Sequence, residues 1–284
     1  MRRDRMQQSR FELKYLISEI TAQRVRDFVR CYLAMDEYGV GRPNYSYPVH
    51  SLYLDSDDLK IYWRTVNGDK NRYKLRLRYY SDNPDSPVFF EIKRRMKDVI
   101  LKQRGGVRQT AVALLLQGHL PGSEHMLTKD PGSLVAVQRF QQLMFELDAK
   151  PKSHIYYKRE AYVADNDEVR VTMDRDVWAE PHLEPTIKVR MAKPVHSYAG
   201  FVILELKFTN RFPNWFRELV RVADTMQCGA AKYVSGVGLI GHARLAAHAA
   251  VLEEESLLAN YRQGDDLPTW ARQDKGIDTV TDGR

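Results

Sequence analysis

Between Arg72 and Arg78 the chain reads Arg-Tyr-Lys-Leu-Arg-Leu-Arg, with cations at strictly alternating positions. Side chains of an extended strand point to opposite faces in turn. Arg72, Lys74, Arg76 and Arg78 therefore share one face, and Tyr73, Leu75 and Leu77 share the other. Same-face neighbours lie roughly 6.6 Å apart. At an effective dielectric of roughly 20 to 80, each such pair repels by roughly 0.6 to 2.5 kcal/mol. A strand with this pattern is either the solvated face of an antiparallel sheet or one wall of a space that holds anions.

Recurrence favours the second reading. Phe89 to Arg95 puts Glu91, Lys93 and Arg95 on one face, and Val169 to Asp174 puts Arg170, Thr172 and Asp174 together. Thr186 to Arg190 pairs Lys188 with Arg190, and Val202 to Lys207 pairs Glu205 with Lys207. Arg10 to Tyr15 repeats the arrangement, so Glu-x-Lys occurs at Glu12/Lys14, Glu91/Lys93 and Glu205/Lys207. Strands that are apolar on one face and cationic on the other suit a closed barrel, with the apolar face outward under helices and the charged face around a lumen. Unpaired cations in a low dielectric are costly, so such a lumen must hold water, counter-ions or an anionic ligand. Interspersed carboxylates can pair with the cations or hold a divalent metal through hard oxygen donors.

The chain has 284 residues, 43% of them hydrophobic, and a formal net charge of +7. That is enough for one substantial core or two small ones, with a bias toward acidic partners. Cys31 and Cys228 lie in segments that read as helical and match no metal or redox spacing. They read as reduced, structural thiols of a cytosolic protein. No apolar run approaches the roughly 18 residues of a membrane span, and the charged start lacks the apolar stretch of a secretory signal.

Helical segments punctuate the strands. Ser18 or Thr21 caps a helix to about Leu33, a short helix covers Leu59 to Thr65, and Asn67-Gly68-Asp69 turns into the basic strand. Tyr47 to Asp55 reads as a strand, and Asn83-Pro84-Asp85 joins a hairpin. Gly105-Gly106 reads as a break before a helix from about Thr110 to Gln117, and Ser133 to Asp148 reads as a further helix. Strands follow over Ile155 to Val163 and Val169 to Asp174, then around Lys188 and Glu205. Pro213 opens a helix to about Met226, and Ala243 to Ala259 reads as a terminal helix before a polar tail. The reading is one α+β domain over 1–240, a C-terminal helix over 241–262 and a flexible tail over 263–284.

Arg-Phe-Glu-Leu-Lys-Tyr, Val-His-Ser-Leu-Tyr-Leu-Asp, Lys-Leu-Arg-Leu-Arg-Tyr-Tyr, Phe-Glu-Ile-Lys and Leu-Glu-Leu-Lys-Phe follow one another over roughly residues 10 to 240. This order resembles the vacuolar transporter chaperone (VTC) domain, the polyphosphate polymerase branch of the triphosphate tunnel metalloenzymes. The resemblance implies an antiparallel, closed tunnel β-barrel of about eight strands with helices outside. It also implies binding of ATP or another triphosphate with Mn2+ or Mg2+, and transfer of the γ-phosphate of ATP onto polyphosphate. By that resemblance Arg76 and Arg78 are paired phosphate-binding arginines, Arg159 and Arg170 their counterparts in the second half, and Lys14, Lys93 and Lys102 tunnel lysines. Glu205 resembles the metal-binding carboxylate with Lys207 beside it, and Lys232 the lysine at the tunnel mouth. Arg10 stands where the wider superfamily carries the first Glu of Glu-x-Glu-x-Lys, which removes one carboxylate that hydrolytic relatives use for metal.

Phosphoryl transfer requires positioning and charge stabilisation, and guanidinium groups bind phosphate bidentately. Arg76, Arg78, Lys93, Arg159, Arg170 and Lys207 are therefore the expected catalytic set, with Lys14, Lys74, Lys102, Lys188, Arg190 and Lys232 along the substrate path. Glu205 is the expected metal ligand, and Glu12 and Glu91 either share the ion or orient nearby cations. Arg76→Ala or Arg78→Ala is expected to cut activity by about tenfold or more, with little loss of fold. A tripolyphosphatase and a non-catalytic polyphosphate-binding module stand as alternatives. Nucleic acid is disfavoured, because arginines alternating with buried-type residues suit a lumen more than a flat groove. The expected setting is the cytoplasm, at the inner face of a membrane through a membrane-protein partner. His50, in an alternating strand, reads as a satisfied wall residue, His119, His125, His154, His182 and His196 show no metal-ligand spacing, and Trp63, Trp178 and Trp215 read as packing residues. Arg94, Arg95 and Lys97 read either as a solvated rim or as the entrance of the channel.

Overall fold

Most of the alternating segments form strands. The structure, a computed structural model, describes residues 10–245 apart from 98, 167, 210, 225 and 226. In chain order these are β1 (Arg10–Ile17), α1 (Glu19–Val29), β2 (Ala34–Met35), β3 (Ser46–Asp55), α2 (Lys60–Val66), β4 (Asn71–Tyr79), β5 (Val88–Met96), β6 (Val99–Val107) and α3 (Val112–Leu116). There follow α4 (Pro131–Glu146), β7 (Lys150–Val163), β8 (Val169–Pro181), β9 (Val195–Ser197), β10 (Val202–Thr209), α5 (Phe216–Ala223) and α6 (Lys232–Ile240). The terminal helix expected over 243–259 and the tail beyond it lie outside the described residues.

The strands order as β2-β7-β3-β4-β5-β6-β1-β10-β8-β9 in one antiparallel sheet, and β7 also pairs β8. Long β7 thus bonds β3 on one edge and β8 on the other. Among the described residues the register between β6 and β1 is the single pair Arg10↔Ile100, and the observed architecture is a strongly curved antiparallel sheet. Because β7 bonds both β3 and β8, the strand order turns back on itself and the sheet curls around its cationic face. On that concave face side chains two strands apart meet: Arg78 of β4 donates to Tyr157 of β7, Lys93 of β5 to Glu12 of β1, and Arg159 of β7 comes within 3.5 Å of Glu205 of β10.

The convex face carries the apolar halves of the same strands. Leu52, Leu54, Leu75, Leu77 and Phe90 belong to one core with Val137 and Phe140 of α4, the phenylalanine rings meeting edge-on at 4.9 Å. Tyr15, Val171, Met173, Leu204 and Leu206 pack with Val25 and Val29 of α1 and Phe216 and Leu219 of α5. The α1 cap is as expected, Ser18 Oγ accepting from Thr21 N, while α4 begins earlier than expected, with Asp130 capping Gly132 and Ser133.

Four expectations need correction. Gly105 and Gly106 do not break the chain but lie inside β6, because α4 crosses there: a Cβ on Gly105 would stand 2.3 Å from the Ser133 carbonyl oxygen. Residues 186–190 form no strand. Cys31 follows the end of α1 and Cys228 lies in the segment before α6, so neither is helical. Finally, α6 packs on the concave face instead of outside. Its Gly236 sits against Ile155 and Ala179, where a Cβ would come within 2.8 Å of Ala179 Cβ, and Tyr233 stacks on Tyr53. One end of the concavity, beside the start of β7, is thereby covered. Among the described residues no helix is long and apolar enough to cross a membrane.

Candidate active site

Ladder register brings the expected cations together. Arg76 lies opposite Glu91 across β4 and β5, Lys74 opposite Lys93, and Lys93 opposite Lys102 across β5 and β6. On the other side, Lys14 of β1 lies opposite Glu205 of β10, and Lys207 lies opposite both Glu12 and Arg170. These ladders place like charges side by side, which is destabilising without a counter-charge.

Four carboxylates supply part of it. Glu91, fully buried, takes two bonds from Arg76 (2.8 and 2.7 Å) and pairs with Lys102 at 2.5 Å. Burial would raise its carboxyl, but Arg76, Arg78 and Lys102 hold it well below the ordinary carboxylate range. Asp174 receives a bidentate fork from Arg159, both bonds at 2.7 Å, and the Lys232 ammonium at 2.6 Å. Glu205 pairs with Lys207 at 2.6 Å and with Lys14 and Lys232 at 3.2 Å each. Glu12 pairs with Lys93 at 2.8 Å and with Lys14 at 3.2 Å. Burial opposes ionisation of Glu12 and Glu205 too, and their lysines overcome it.

The carboxylates do not balance the cations. Lys74 has no ion pair or hydrogen bond among the described residues, and it is flanked by Lys14, Lys93, Arg72 and Arg76. Burial and then those charges push its ammonium well below the ordinary lysine range. Burial likewise pushes Lys102 down to about 7 and Lys207 down to about 8, even with Glu91 and Glu205 opposing the shift. Arg78 donates to Tyr157 Oη (2.8 Å), but its buried Nε has no hydrogen-bond partner among the described residues, with Glu91 Oε2 at 4.0 Å. The concavity thus carries surplus positive charge and unsatisfied donors, the electrostatic complement of a polyanion.

Some expected residues stand elsewhere. Lys188 pairs with Glu180 at 3.0 Å at the far end of β8, beneath an irregular segment, and Arg190 is exposed. Neither joins the cluster. Arg170 does, but at its edge: it pairs with Asp36 and donates to Tyr47 Oη at 3.3 Å. Conversely, Tyr53, Tyr157 and Asp174 were not assigned roles by the sequence reading. Tyr53 Oη accepts from Arg76 at 3.1 Å, and Lys232 lies 4.7 Å over the Tyr157 ring. Each stands two residues from an expected group or on its register partner, which is the signal that could have found them.

Glu12 and Glu205 both lie beside the Lys14 ammonium, which occupies the position of a shared cation, whereas Glu91 belongs to Arg76 and Lys102. Among the described residues no three His, Cys, Asp or Glu side chains form a metal-binding group. Two hard oxygen donors fit Mn2+ or Mg2+ in the mode where substrate phosphate oxygens complete the shell, not as an all-protein cage.

A family model, the VTC domain, matches residues 9–240. The chain is 25% identical over 133 residues to vacuolar transporter chaperone complex subunit 2 of Schizosaccharomyces pombe, a match covering 44% of this chain and 18% of that protein. Among solved structures, it is similar to a Bacillus halodurans protein provisionally assigned as an adenylate cyclase (14% identity, TM-score 0.45, 79% of this chain and 94% of that one). It is also similar to a conserved hypothetical protein from Pyrococcus furiosus (9% identity, TM-score 0.36, 77% and 92%).

Proposed function

The chain belongs to the VTC domain family, and from that premise we propose that it is a polyphosphate polymerase-like phosphotransferase, moving the γ-phosphate of ATP onto a polyphosphate chain inside a basic tunnel enclosed by the curved sheet. The observation that carries this reading is the uncompensated charge: Lys74 unpaired among four cations, with Lys102 and Lys207 pushed down by burial. Such a cluster is costly without counter-charge, and a bound polyanion supplies that charge.

In the proposed reaction a terminal oxygen of the acceptor chain attacks the γ-phosphorus. A new P–O–P link forms, the bond to the β,γ-bridging oxygen breaks, and ADP leaves with that electron pair. The attacking oxygen is already ionised, so no general base is required. Arg76, Arg78 and Arg159 grip the equatorial oxygens and hold donor and acceptor in line. Arg170 acts from the edge, and Lys14, Lys74, Lys93, Lys102, Lys207 and Lys232 neutralise the chain along its path. Glu91 and Asp174 keep Arg76 and Arg159 in fixed orientations, so little reorganisation accompanies transfer. Glu205, with Glu12, would hold Mn2+ or Mg2+, which when bound offsets charge on the leaving ADP.

The test is direct: incubate the purified chain with ATP and Mn2+ and resolve the products by size. Chains longer than triphosphate support the reading; release of orthophosphate alone supports a tripolyphosphatase of the same fold. A third reading, a non-catalytic polyphosphate binder, is favoured by one observation, that every concave carboxylate is already ion-paired. Glu205→Gln separates it, since a binder keeps its affinity whereas the enzyme loses turnover. The relative is named as a subunit of a complex, which supports assembly of this chain with partner proteins; we propose a membrane protein, at the cytoplasmic face of a membrane, as that partner.

A further inference from the structure

The end of the concavity away from α6 is lined by aromatic rings that the phosphate chemistry does not use. Tyr80 follows directly after the last residue of β4, beyond Arg76 and Arg78, and its ring meets that of Tyr47. Tyr47, opposite Arg159 at the start of β3, lies with its ring centroid 6.4 Å from Tyr80 and 5.9 Å from Tyr38. Tyr38 is 62% exposed, a large aromatic surface in water at the rim of the site, with its hydroxyl hydrogen-bonded to Glu37. It is also held in place. The buried Asp36 accepts from Tyr38 N at 3.1 Å through one oxygen and from Arg170 through the other. One carboxylate therefore ties an exposed ring to an arginine of the candidate site.

We propose that Tyr38, with Tyr47 and Tyr80 behind it, is the platform on which the base of a nucleoside triphosphate stacks while its phosphates extend inward past Arg170 and Arg78. This rests on the reading that the concavity takes a triphosphate, and it adds the direction of entry and the part of the nucleotide that is recognised. Stacking on a ring face is tolerant of base identity, so purine triphosphates bind alike and inorganic tripolyphosphate, lacking a base, gains nothing from the rings. The covered end at α6, where Tyr233 stacks on Tyr53, leaves the tyrosine rim as the approach for the donor.

The experiment measures dissociation constants of ATP and of inorganic tripolyphosphate, each with Mn2+, for the full chain and for Tyr38→Ala and Tyr38→Phe. The expected result is about a 5- to 100-fold loss of ATP affinity in Tyr38→Ala, near wild-type ATP affinity in Tyr38→Phe, and tripolyphosphate bound alike by all three. Equal losses for both ligands in Tyr38→Ala would overturn the platform, as would no loss for ATP, and either leaves the triphosphate reading intact. A wild-type chain that binds neither ligand overturns both.

Discussion

The two faces of β3, β4 and β7 bury polar groups by opposite means. On the concave face Arg76, Arg78 and Arg159 are charged, their partners Glu91 and Asp174 are charged, and cations are left over. On the convex face the same strands bury His50 and His154, joined by a 3.0 Å Nδ1···Nε2 hydrogen bond and flanked by Tyr79. Burial pushes these imidazoles down to about 4 and about 2, so the pair is neutral. A structural site solves burial by giving up charge. The concave face keeps charge that its own carboxylates do not balance, which is costly in the absence of a ligand. The difference separates the part of the sheet built for packing from the part built for binding.

The strongest way to break the comparison is Arg76→Ala. Removing the guanidinium strips Glu91 Oε2 of both bonds that it accepts from Arg76, so the fold loses on the order of 3–5 kcal/mol and phosphoryl transfer falls about tenfold or more. The sequence alone led to the expectation of little loss of fold; the fully buried Glu91 overturns that. Chemical denaturation of Arg76→Ala/Glu91→Gln should recover most of the stability and none of the transfer. On the convex face, His154→Leu orphans His50 Nδ1 and is expected to cost about 1–3 kcal/mol, with tripolyphosphate affinity unchanged by calorimetry. Loss of affinity there would erase the distinction between the faces.

Protonation sharpens the contrast. Without ligand, Lys102 and Lys207 sit at about 7 and about 8, so at pH 8 both are partly neutral. A polyanion favours their charged forms, and binding must take up protons between about pH 7 and the ordinary lysine range. Calorimetry at pH 8 in buffers of different ionisation enthalpy should show net uptake that shrinks toward pH 6, where both groups are already charged. On the convex face, His50 and His154 bind protons more readily unfolded than folded, so stability falls as pH drops from about 6.5 to 4. In His154→Leu that fall should be shallower.

Much of this was legible in the residues because a period of two is a local signal. Arg72 to Arg78 and the three Glu-x-Lys pairs each declare a charged and an apolar face without reference to the rest of the chain. What failed was non-local. Lys188-Val-Arg190 alternates just as well, but no strand partners it, and Glu180 claims the lysine. Gly105-Gly106 looked like a break because nothing local reveals that α4 needs its side chains absent. Tyr53 and Tyr157 drew no role from the sequence, because an aromatic ring at an alternating position is ordinary packing until an arginine is found at its hydroxyl. The helix α6, which brings Lys232 onto Asp174, was seen only as a lysine in a short motif.

The smallest effect is also the most direct test. Lys74 is a half-buried cation surrounded by cations, so Lys74→Met should raise the melting temperature of the ligand-free chain, by the equivalent of about 0.5–1 kcal/mol, while weakening tripolyphosphate binding about tenfold. Thermal unfolding of wild type and variant, each with and without tripolyphosphate, reads both quantities at once. A variant that is stabilised alone and gains less from the ligand is the predicted result. A variant that is destabilised alone, or that gains as much from tripolyphosphate as the wild type, would contradict the claim that the concave face is charged for an anion.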